Sequence, residues 1–95
     1  MIVRMAARIQ IERVKPGEYR VQIAEGASET SHLVTLKPGD CRRLTGGKAQ
    51  PEELLRRSFE FLLEREPKES ILARFDLPVI SRYFPEYEQE MRRRL

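Results

Sequence analysis

From Val3 to Ile11 the chain alternates with a period of two, and few patterns restrict a fold more. Val3, Met5, Ala7, Ile9 and Ile11 fall on one side, Arg4, Arg8, Gln10 and Glu12 on the other. Successive strand side chains point to opposite faces, so this is a strand with one face packed and one face wet. The stretch KPGE (Lys15–Glu18) follows. Proline holds φ near −65° and glycine accepts a positive φ, the needs of the two central positions of a type II turn. Tyr19, Val21 and Ile23 then alternate with Arg20 and Gln22 as a second strand, closed by EGASE (Glu25–Glu29). Thr30 to Leu36 is a third, with His32, Val34 and Leu36 on one side. Connections this short make sequential strands antiparallel neighbours, a meander. A second turn, KPGD (Lys37–Asp40), ends it. CRRL (Cys41–Leu44) fits either a helical turn capped by Asp40 or a short fourth strand, and TGGKAQ (Thr45–Gln50) is a joint by composition.

At Pro51 the period changes. Proline suits a first helical position, and Glu52 and Glu53 suit the positive end of the helix dipole. Leu54, Leu55, Ser58, Phe59, Leu62 and Leu63 form a stripe at helical spacing, with Glu52/Arg56 and Glu53/Arg57 as i,i+4 pairs on the wet side. This helix is expected to end near Glu66. Pro67, Pro78 and Pro85 each bias the preceding residue away from helix, so each is an expected boundary. PKESILARF, LPVISRYF and PEYEQEMRRR therefore read as short successive helical segments, the second capped by Asp76. The expected fold is α+β over residues 1–95 as a single domain. A β-meander of three strands, with 41–44 a candidate fourth, occupies 1–44. Residues 45–50 form a joint, and the helical half, 51–95, packs on one sheet face.

Composition removes several function classes. The single cysteine, Cys41, excludes an intrachain disulfide. Arg4 and Arg8 interrupt the apolar start, so no secretory signal is expected and a cytoplasmic location is. No run approaches the roughly 18 apolar residues of a membrane span. The net charge is +3, and residues 1–50 hold nine Lys/Arg against five Asp/Glu, while 51–95 hold nine against ten. That bias is compatible with nucleic acid or an acidic protein, but weak for a dedicated phosphate-binding arm.

No constellation of residues carries recognisable catalysis. His32 and Cys41 are the only histidine and thiol, and a Cys–His pair is weighed against a strand histidine and a half-buried cysteine. They leave at least two ligands of a metal site unfilled. TGGK (Thr45–Lys48) lacks the glycine spacing of a phosphate loop and has no buried parallel strand leading into it. No enzyme activity, cofactor, metal or small-molecule ligand is therefore expected. Arg4, Arg8 and Arg20, with Gln10 and Gln22, share the polar sheet face and are the candidates for nucleic-acid contact. An RNA-reading sheet would interleave aromatic residues there, and Tyr19 faces inward instead. Near the end, Tyr83, Phe84, Tyr87 and Met91 make a stripe with Ile80. The apolar residues after Pro67 outnumber what a small sheet can cover, so this stripe is either core or a contact surface for a protein partner or a second copy.

The segment FLLEREPKESILARFDLPVISRYFPEYE (Phe61–Glu88) resembles a recurring block in small, uncharacterised bacterial proteins, where a β region precedes this helical tail. The resemblance implies a bacterial, cytosolic, single-domain protein and carries over no catalytic residue. A fainter likeness is to ribbon-helix-helix regulators, including antitoxins of the HicB type. It rests on Ser31–Leu36 as a base-reading strand, with Ser31, Leu33 and Thr35 outward, and on 51–65 as the second helix. Pro38, Gly39, Gly46 and Gly47 stand where that family's first helix would be. Two functions are expected: an interaction or accessory protein working through its C-terminal helices, or a nucleic-acid-binding regulator working through its sheet.

Overall fold

The computed structural model describes residues 7–95. The strand positions expected at Val3 and Met5, and the candidate Arg4, lie outside them. Alternation becomes structure first at the KPGE turn: Gly17 has φ +79°, which a side chain would strain, and its carbonyl accepts the Leu36 amide at 2.8 Å. The turn joins β1 (Arg8–Lys15) to β2 (Glu18–Glu25), and β3 (Ser28–Thr35) follows antiparallel. Ile9 lies opposite Ile23, Ile11 opposite Val21, and Val21 opposite His32, so one face is mainly apolar, with His32 set into it and Arg13 at its margin. Arg13 pairs with Tyr19 but Lys15 with Glu18. Val14 is thus an extra residue, a bulge, and stands 43% exposed.

A fourth strand exists, but Cys41–Leu44 does not supply it. Those residues lie within helix α1 (Pro38–Thr45), whose N-cap is Lys37 and not Asp40. Asp40 sits in the first turn, favourable to the dipole, and Gly46 ends the helix at φ +65°. The fourth strand is β4 (Arg74–Asp76), inside a segment expected to be helical. It runs parallel to β3, pairing Leu33 with Arg74, Val34 with Phe75 and Thr35 with Asp76, and the sheet order is β1-β2-β3-β4. Pro67 and Pro78 bracket this segment and leave only single 3-10 turns, Lys68–Ser70 and Leu77–Val79, on either side of it. The Asp76 side chain caps nothing; it accepts the Thr35 hydroxyl at 2.6 Å and ties β4 to β3.

Helix α2 (Pro51–Leu63) crosses the apolar sheet face. Its N-terminal glutamates behave as expected in one pair: Arg57 bonds Glu53 at 3.0 Å, whereas Arg56 instead donates to the Ile9 carbonyl on the sheet edge at 2.9 Å. Phe59 faces the sheet, 5.6 Å from the His32 ring and 6.0 Å from Phe75. Phe61, which the expected stripe omits, is also fully buried. It points to the other side of α2, where α4 (Tyr87–Arg94) closes over it: Tyr87 packs edge-on at 5.4 Å and Phe84 at 5.8 Å. The Arg65 guanidinium caps the ring at 3.6 Å. Helix α2 is therefore buried on two sides, between the sheet and a helical layer of α1, α4 and the short α3 (Ile80–Tyr83). The α+β architecture expected from the pattern is present, with the helices on one sheet face.

Candidate functional site

The C-terminal stripe divides. Tyr87 and Met91 are fully buried, Tyr83 is 66% exposed and Phe84 is half-buried. Tyr87 and Met91 are thus corrected from contact residues to core, and the reason is chemical as well as spatial. Ser58 donates to the Leu54 carbonyl at 2.7 Å, which uses its only proton. The Tyr87 hydroxyl therefore donates to Ser58 Oγ at 2.5 Å, and Met91 Sδ lies 3.7 Å from the same oxygen. Burial holds the Tyr87 hydroxyl well above its ordinary pKa, with the Ser58 bond pulling the other way. A phenol held this way is structural.

Tyr83 and Phe84 have a different neighbourhood. With Leu62, Ile71, Leu72, Phe75, Val79 and Ile80 they line an open apolar cleft of about 290 Å³, to which Glu66 and Ser70 add polar atoms. The prolines make it: the 3-10 turns on each side of β4 break the tail into pieces too short to close over its own apolar residues. Leu72, 47% exposed, lines the same cleft as Tyr83 and stands out from it.

Glu66 is the unexpected member. It follows the end of α2, with its amide on the Leu62 carbonyl at 2.9 Å, so it sits at the negative end of the helix dipole. Among the described residues no cation lies within ion-pairing distance of its carboxylate and no side chain hydrogen-bonds it. Its neighbours are all engaged: Arg65 with Glu86 and Glu64, Lys68 with Glu69 and Glu25. Burial raises the Glu66 carboxyl above its ordinary range. Periodicity could not single it out, because a glutamate near a helix end reads as solvated.

The other candidates are placed elsewhere. Arg8 faces Ala24 and Arg20 faces Glu12, so both lie on the outer sheet face, which no helix of the described residues covers. Arg20 bonds Glu12 at 2.8 Å. The same face carries Asp76 opposite Thr35 and Glu18 beside it, and the signs are mixed. Strand β3, read as a base-reading ribbon, is paired on both edges, by β2 and β4. Neither edge is open to the strand of a second copy.

His32 and Cys41 do not form a pair. Nδ1 of His32 donates to the Leu72 carbonyl at 2.8 Å, which leaves Nε2 to accept the Thr30 hydroxyl at 2.9 Å. Both nitrogens are occupied, and the histidine pins the backbone of Leu72, a residue that lines the cleft. Cys41 is buried in α1, and its thiol is pushed up by burial and then by Glu52, the opposite of activation. Among the described residues no three His, Cys, Asp or Glu converge as metal ligands, and no helix is long and apolar enough to cross a membrane. No protein-family model, curated protein or solved structure matches the chain.

Proposed function

We propose that this chain is a non-enzymatic interaction protein whose contact surface is the cleft of the C-terminal segment, centred on Tyr83, Phe84 and Leu72. One observation carries the reading: large apolar side chains stand exposed around a cleft whose floor is already apolar, in a chain that buries its other aromatic rings. Exposed apolar surface gathered at one place is a mark of contact sites, and tyrosine is enriched among the residues that dominate their energetics.

The test uses Leu72→Asp and Tyr83→Asp in the full chain. Light scattering over a concentration series reads self-association, and co-purification reads a foreign partner. The expected result is a larger species or retained partner for the wild type, lost in both variants with melting unchanged. A monomer at every concentration, with nothing retained that the variants lose, overturns the proposal. The nucleic-acid alternative draws on the uncovered sheet face with Arg8 and Arg20. Its signature is binding that weakens steeply with salt and disappears in Arg8→Glu.

A further inference from the structure

Glu66 is badly placed for the chain by itself. It is a half-buried acid just past the C-terminal end of a helix, bordering the apolar cleft on one side and a polar one with Arg56 and Arg65 on the other, and no cation of the described residues comes within ion-pairing distance of it. Every carboxylate nearby that is part of an ion pair could be explained by that pair. Glu64 is held by Arg94 at 2.7 Å and Arg65 at 3.3 Å, Glu86 by Arg65 at 3.2 Å, and Glu69 by Lys68 at 2.6 Å. Partial burial with no ion pair raises the Glu66 pKa and so weakens, without removing, its preference for the charged form. Where a chain breaks local rules at one spot and obeys them around it, that spot is where binding or chemistry is expected.

We propose that the cleft receives an apolar side chain of a partner protein while a lysine or arginine from the same segment meets Glu66. This rests on the contact reading above and adds the chemistry of the partner. The apolar walls from Leu62, Ile71, Phe75, Val79 and Ile80 offer burial to one large side chain. The carboxylate selects the cation beside it, and closing the cleft strengthens that pair by excluding water. Leu72 and Tyr83 extend the apolar surface past the rim, where a polypeptide would cover them and a small ligand would not.

The probes are three acetylated dipeptide amides, phenylalanine followed by arginine, by glutamine or by glutamate. Binding to the full chain is followed through the methyl NMR signals of Leu62, Ile71, Leu72, Val79 and Ile80. The arginine probe should bind about three- to fivefold more tightly than the glutamine probe, the range of a partly exposed ion pair, and the glutamate probe most weakly. In Glu66→Gln the arginine and glutamine probes should become equal, and in Glu66→Lys the order should reverse. Equal binding of all three to the wild type, with the cleft signals still moving, overturns the charge selection and leaves the contact surface standing. An arginine preference that survives Glu66→Gln likewise overturns it. If no probe moves the cleft signals at millimolar concentration, the proposed occupant is wrong, and the Tyr83→Asp and Leu72→Asp experiment judges the contact surface separately.

Discussion

Ser58 and Tyr87 show how one hydroxyl can decide the fate of a residue. Ser58 lies on the α2 stripe, where a serine reads as a small core residue, but its oxygen is the one acceptor among the described residues for a phenol that is otherwise sealed in. Removing the acceptor should cost more than removing the donor. Ser58→Ala leaves the Tyr87 hydroxyl buried without a partner, for which a loss of about 2 kcal/mol is expected. Tyr87→Phe leaves Ser58 still bonded to Leu54 and should cost about 1 kcal/mol. Denaturant titration of both variants checks the order. Glu66 carries a prediction of opposite sign. Its folded pKa is raised, so the folded state holds its proton more tightly than the unfolded state does. Stability from this group is therefore greatest below the unfolded carboxylate value of about 4.3 and declines as pH rises through the folded one. Glu66→Gln should accordingly raise the melting temperature near neutral pH and leave it unchanged in acid. A thermal melt at each pH decides it.

Among the elements, β4 is the one that pattern reading misplaced. Three residues carry no usable periodicity, and the neighbouring prolines made a run of short helices the natural reading. What makes Arg74–Asp76 a strand is the free edge of β3, filled by the parallel ladder and by the Leu33 amide bonding the Ala73 carbonyl at 2.8 Å. Phe75 anchors it against Phe59. Phe75→Ala should cost about 3 kcal/mol and release the strand. The Leu33 amide should then lose protection from hydrogen exchange, while amides in the β1–β2 ladder keep theirs. In contrast, β1, β2 and β3 were legible from alternation and two proline-glycine turns, and α2 from its stripe. Helix α1 was not, because its two turns offer too little periodicity to separate helix from strand.

At the scale of the molecule, α2 is the shared wall of two cores. Phe59 belongs to the sheet side and Phe61 to the helical side, two residues apart on one helix. Neither core survives alone without it, so thermal unfolding should be one transition, with near- and far-ultraviolet circular dichroism coinciding. Leu72→Ser and Tyr83→Ser should each change stability by less than about 0.5 kcal/mol, as exposed positions do, whereas Phe61→Ala should cost about 4 kcal/mol. The amino-acid order alone determined the elements that repeat: three alternating strands, one amphipathic helix, and a tail broken at its prolines. Periodicity reports which way a side chain faces within its own element, and it carries that much without any neighbour. It cannot report what the rest of the chain brings to that face. Only the tertiary structure buried Tyr87 and Met91, left Tyr83 outside, and set Glu66 at an apolar cleft with no ion-pair partner among the described residues. Those outcomes depend on contacts between residues far apart in the chain, which no local pattern encodes.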